Sequence, residues 1–150
     1  MQKWKQYELQ ACEHHAKRHG HTVYHWSNVP EDVLINSGFI CSAHDWRLLR
    51  KAVELKKQMR EFGLDGIAVD KEGVCHGIQA KCWNETLCAS DLGSFLSVMH
   101  GRFRKRNPKS KGYLYHTTKI QRDLWNDLNS MDNIIIKSLP FENDAAAESS

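Results

Sequence analysis

No apolar run in these 150 residues approaches the roughly 20 needed to cross a bilayer. The start of the chain, Met1-Gln2-Lys3-Trp4-Lys5, enters polar helical sequence with no apolar stretch and small-residue cleavage site behind it. No secretory leader is expected, and the expected setting is intracellular. The five cysteines, at 12, 41, 75, 82 and 88, are odd in number and contain no Cys-x-x-Cys pair. That excludes a disulfide framework and a zinc ribbon and predicts reduced, mostly structural thiols. The nine histidines include His14, His15, His19 and His21, but neither Cys-x-x-Cys nor His-Glu-x-x-His spacing accompanies them. Surface or structural histidines are expected, not a zinc set. There is no internal repeat.

What remains is an ordinary globular composition, 41% hydrophobic and 26% charged, of a length suited to one domain with a continuous core. We expect that domain over residues 1–139. The small, polar stretch 140–150 reads as a tail or linker. The net charge of +3 is unevenly placed: Arg102, Arg104, Lys105, Arg106, Lys109 and Lys111 fall within ten residues that contain no acid. This segment is a candidate contact for a polyanion.

Trp4, Tyr7, Glu8, Ala11 and His15 share one helical face, predicting a helix over residues 3 to 19 that stops at Gly20. A strand over 21–26 and a short helix from Pro30 to Gly38 follow. Ser42 and Asp45 form a capping box ahead of one long helix over about 43 to 61. Residues 64–69 and 74–83 read as two strands joined by the turn Asp70-Lys71-Glu72-Gly73. Ser90 is expected to cap a helix carrying Leu92, Phe95, Leu96 and Met99, with a basic loop after it. A strand over 112–118, a helix over 119–131 and a buried strand over 134–139 complete the chain. The order predicts an α/β fold, a mixed β-sheet core flanked by helices. Trp46, Trp83 and Trp125 each belong to an apolar set and are expected in the core.

Chemistry concentrates in the hairpin. With Asp70 facing Val74, paired positions sum to 144, so Asp65 stands opposite Gln79. Side-chain alternation places Gln79 and Lys81 on one face and Ile78, Ala80 and Cys82 on the other. A hard cation such as Mg²⁺ or Mn²⁺ takes oxygen ligands, and Asp65, Gln79 and the Ala80 carbonyl could supply them. Lys81 could orient or deprotonate an attacking water, or neutralise charge on phosphoryl oxygens. Glu8, inside the apolar stripe of the first helix, needs a partner if buried; a metal, its waters or a lysine would serve.

These residues resemble the restriction-endonuclease-like, or PD-(D/E)XK, nuclease superfamily, in its Mrr-like branch with Gln-x-Lys, here Gln79-Ala80-Lys81. The likeness takes in Glu8, Asp65-Gly66, Trp83 and the Ser90-Asp91-Leu92 helix, over roughly residues 5 to 118. It implies an αβββαβ-type core and a Mg²⁺-dependent DNA endonuclease with Glu8, Asp65, Gln79 and Lys81 in its site. It further implies kinship with nuclease domains fused to helicases in large DNA viruses and restriction systems, hence a helicase as a partner domain. The chain departs from the pattern in two places. Leu64 replaces the proline, which is not a ligand. Gln79 replaces an acid, so the site carries one negative charge fewer and should hold metal more weakly unless Glu8 compensates. A nuclease-like module that docks DNA without cutting it is the alternative reading. In either case the basic segment is expected to contact phosphates.

Overall fold

The computed structural model describes residues 2–142. Helix α1 (Lys3–His19) leads to β1 (Thr22–His25), the short α2 (Glu31–Ser37), α3 (Ala43–Leu48) and α4 (Ala52–Glu61). The hairpin β2 (Gly66–Val69) and β3 (Cys75–Lys81) follows, then α5 (Ala89–Val98). A π-helical turn, Met99–Phe103, runs on into α6 (Arg104–Arg106), and β4 (Gly112–His116), α7 (Arg122–Ser130) and β5 (Ile134–Ser138) close the fold.

The strands form one five-stranded mixed sheet in chain order, β1 to β5. β1, β2 and β3 are antiparallel neighbours, whereas β3, β4 and β5 run parallel. The hairpin register is Gly66 with Ile78 through Val69 with Cys75, so the expected sum of 144 holds. Gly73, at φ 83°, supplies the left-handed residue of the turn.

Two apolar layers follow from strand alternation. On one face α1 lays Ala11 against Ala68, Ile78, Tyr113 and Tyr115. On the other, Ile67, Cys75, Leu114 and Ile134 meet Phe95 and Met99 of the long helical segment, Leu55 and Met59 of α4, and Leu124 and Leu128 of α7. The packed chain continues past β5: Phe141 is buried edge-on against Tyr7, and the Pro140 carbonyl accepts from Gln10 Nε2 at 2.8 Å. The remainder of the expected tail, 143–150, lies outside the described residues.

Several expectations are corrected. The long helix over 43–61 is two helices, because the chain tightens into three-residue turns at Arg50 and Lys51 and Lys51 leaves helical geometry (φ −124°, ψ 73°). After this break α4 presents Leu55 and Met59 to the core, while Trp46 is 51% exposed and Val53 points to solvent. Trp83 and Trp125 are also surface residues, 38% and 45% exposed. In α7 it is Leu124 and Leu128, not Trp125, that face the core. Cys88, not Ser90, precedes α5, its backbone N–H donating to Asp91 Oδ2 at 2.8 Å. The stretch 102–106 is helical instead of a loop.

Candidate active site

The site is built where the hairpin strands part. Asp65 N–H donates to the Ile78 carbonyl (2.8 Å), and the Asp65 carbonyl accepts from Trp26 N–H (3.0 Å), so its backbone still belongs to the sheet. Two residues further along β3 the main chain of the partner has gone. There the Ala80 N–H finds the Asp65 carboxylate instead, at 2.7 Å from Oδ2. The side chain thus continues the ladder in the plane of the sheet. Because the N–H and C=O of one strand residue point to the same edge, the Ala80 carbonyl opens into the same fork.

Glu8 comes to this fork from α1 and is buried. Its Oε1 accepts from His25 Nε2 at 2.9 Å and from Trp26 Nε1 at 3.0 Å. His25 Nδ1 accepts from Ser27 N–H (3.3 Å), which leaves the ring proton on Nε2, facing Glu8. The Glu8 and Asp65 carboxyls are close enough for Glu8 to disfavour ionisation of Asp65. Burial first, then the charge of Glu8, pushes the Asp65 pKa well above the ordinary value, and the Ala80 N–H and Lys81 only partly offset this.

Lys81, at the end of β3, is half-buried, with its Nζ 4.7 Å from the centre of the Trp83 ring. Its charge acts on both Asp65 and Asp91. Gln79 is fully enclosed and lies against Gly63, where any Cβ would collide with its amide nitrogen. Its Oε1 is buried without a hydrogen-bond partner among the described residues. The fork therefore gathers Glu8, Asp65, Ala80 and Lys81, with Gln79 beneath the segment that leads into Asp65.

Sequence reasoning missed His25, Trp26 and Arg60. The first two hold Glu8. The Arg60 guanidinium lies 5.2 Å from the Trp26 ring and 5.1 Å from that of Trp4, which is 39% exposed. A dipeptide His-Trp at the end of a strand was the only available signal, and it gains meaning only once β1 is known to pair with β2. Cys12, beside the acids, is no nucleophile: burial first and the two carboxylates next push its thiol to about 12.

The basic segment lies elsewhere. Gly77 N–H donates to the Lys111 carbonyl, so the segment returns to the sheet at the start of β3, whereas Lys81 ends that strand. From Gly77 to Lys81 is four residue steps, roughly 13 Å at about 3.3 Å each. Arg102 faces inward: its guanidinium donates to the Phe39 carbonyl (2.6 Å) and to Asp45 (3.2 Å) and stacks over Phe39 and Phe62. It is a structural residue in place of the expected phosphate contact. Arg104 is 3.5 Å from Asp132, while Lys105, Arg106, Lys109 and Lys111 are exposed.

Among the described residues no group of three or more His, Cys, Asp or Glu side chains is arranged to hold a metal ion. A site of two carboxylates completed by amide and carbonyl oxygens is a different donor set, and the residues at and beside the fork fit it: all are hard oxygens, two are neighbouring buried acids, and Gln79 Oε1 has no hydrogen-bond partner among the described residues. No helix of the described residues is long and apolar enough to cross a membrane. No family model matches the chain, and comparisons with curated proteins and with solved structures return no match.

Proposed function

We propose that the chain is a metal-dependent DNA endonuclease domain that hydrolyses phosphodiester bonds at the β2–β3 fork. The observation that carries this reading is a pair of buried acids at the end of the hairpin, Glu8 held by His25 and Trp26 and Asp65 held by the Ala80 N–H. Two buried acids close together disfavour each other's ionised form when nothing else neutralises them. A divalent cation would neutralise both.

Asp65 and Glu8 would hold Mg²⁺ or Mn²⁺, with the Ala80 carbonyl and Gln79 Oε1 as neutral oxygens and water filling the remaining positions. The bound ion supplies polarisation of the phosphodiester and of the attacking water. The protein's part is orientation and charge. His25 and Trp26 fix Glu8, and the Ala80 N–H fixes Asp65, so neither carboxyl must reorganise during reaction. Lys81, steered by the Trp83 face, places a positive charge where the phosphoryl oxygens gain negative charge. Exposed Trp4 and Trp83, with Arg60 between Trp4 and Trp26, give the fork a cationic and aromatic margin suited to a DNA strand.

The setting we infer is intracellular, and the resemblance to nucleases of large DNA viruses and restriction systems extends the proposal to a helicase partner. A nicking assay on supercoiled plasmid with Mg²⁺ or Mn²⁺ tests the reading. We expect cleavage to fall by about 100-fold or more in Lys81→Ala and in Asp65→Ala. Cleavage that survives both substitutions contradicts it, and DNA binding without any cleavage assigns the chain to the docking module.

A further inference from the structure

At the opposite end of the sheet, His15 and His19 of α1, His21 of the loop after it and His76 of β3 meet Tyr113 and Tyr115. His15 of α1 is fully enclosed, with Nδ1 2.7 Å from the Tyr115 hydroxyl and Nε2 3.0 Å from His21 Nδ1. The His21 ring stacks on His76 of β3 at 5.3 Å and 17°. Beside them is an open pocket of about 390 Å³ lined by His21, His76, Asp70, Tyr113, Lys109 and Lys111.

The polar atoms of this pocket divide unequally. Asp70 Oδ1 accepts from the N–H groups of Glu72 and Val74, both at 2.9 Å, and Oδ2 faces His76 Nε2 at 3.0 Å. Its negative charge is therefore satisfied from within the turn. His76 Nδ1 accepts the Lys111 N–H at 3.0 Å, which fixes the ring proton on the side of Asp70. The remaining groups are donors. The side chains of Lys109 and Lys111 are exposed and have no partner among the described residues. Tyr113 is only 5% exposed, and its hydroxyl makes no hydrogen bond among the described residues. Burial raises its pKa, so it keeps its proton and acts as a donor. His21, with Nδ1 engaged by His15, has Nε2 left to offer.

We propose that this pocket is a second binding site, for a phosphate group, held by Lys109, Lys111, Tyr113 and His21. Convergent ammonium, hydroxyl and imidazole donors around a cavity with one internally satisfied carboxylate suit a tetrahedral oxyanion. The pocket shares no residue with the acid pair, and its His76 lies four residues, roughly 13 Å, from Ala80 along β3, so the proposal stands or falls independently of the cation reading.

The test is an NMR titration of the whole chain with inorganic phosphate at constant ionic strength, following the imidazole signals of His21 and His76 and the ring of Tyr113. We expect saturable shifts at all three, absent when chloride replaces phosphate. Affinity should fall about tenfold in Lys111→Ala, whose backbone bond to His76 is retained, and should fall in Tyr113→Phe, which keeps the ring packing. Short oligonucleotides with and without a 5′-phosphate identify the source. Tighter binding of the phosphorylated strand marks a terminal phosphate, and equal binding of both, tighter than inorganic phosphate, marks the phosphodiester backbone. Shifts that do not saturate, or an affinity unchanged in Lys109→Ala with Lys111→Ala while both variants melt as the parent does, would overturn the proposal.

Discussion

Asp65 is the residue on which most of the account turns, and its environment makes a thermodynamic prediction. Its folded pKa is raised by burial and by Glu8. Between the ordinary Asp value and that raised value the folded protein holds a proton that the unfolded chain has released, so this group lowers stability as pH rises through the window. We therefore expect Asp65→Asn, without divalent metal at neutral pH, to melt at a higher temperature than the parent, because the amide still accepts from Ala80 and donates toward Glu8. An unchanged or lower Tm argues against the acid pair. His15 runs the other way. Burial, then its histidine neighbours, lower its pKa to about 3. The unfolded chain takes up a proton first, so its contribution is complete above about 6.5 and is lost as pH falls toward 3. His15→Gln should show a shallower decline of Tm between neutral pH and pH 4, measured by circular dichroism across a buffer series.

The element scale explains why some of this was legible in the sequence and some was not. The β2–β3 hairpin is local: its turn residues fix the register, and the register alone sets Asp65 opposite Gln79 and puts Lys81 at the same end. The carboxylate's in-plane position was not legible, because it depends on where β2 leaves the ladder. Nor was the pairing of β1 with β2, which joins segments separated by three helices and brings His25 and Trp26 to Glu8. Tryptophan placement failed for a related reason: apolar neighbours identify an apolar element, but which side chain turns inward depends on breaks such as that at Lys51. The π-helical turn Met99–Phe103 is equally non-local in its consequence, since it carries Arg102 toward Asp45. Burial would raise the Asp45 pKa, but hydrogen bonding from Cys41 and the Arg102 charge outweigh it and hold the carboxyl below its ordinary value. Removing the cation leaves a buried carboxylate short of a partner. Arg102→Ala should cost about 2–3 kcal/mol, below the full cost of breaking a wholly buried pair because the arginine is partly exposed. Chemical denaturation measures this, and a loss under about 0.5 kcal/mol, the range of ordinary surface changes, would show that the pair is dispensable.

Across the whole molecule, the two ends of the sheet carry different electrostatics: an acid pair with one lysine at the fork, and exposed cations with a histidine cluster at the far end. DNA held at both would lose affinity with salt through the far end. Replacing Lys105 and Arg106 with alanine should reduce the slope of log affinity against log salt by up to about 0.9 per lost phosphate contact. Arg102→Ala should leave that slope unchanged, and fluorescence anisotropy in a salt series distinguishes the two. The central claim is that Glu8 and Asp65 share one cation site. The most direct measurement is diffraction from a Mn²⁺-soaked crystal, with the anomalous signal locating the ion. The account predicts a peak bound by both carboxylates at the β2–β3 fork that vanishes in Asp65→Asn; a fork without manganese, or a peak that persists in that variant, contradicts it.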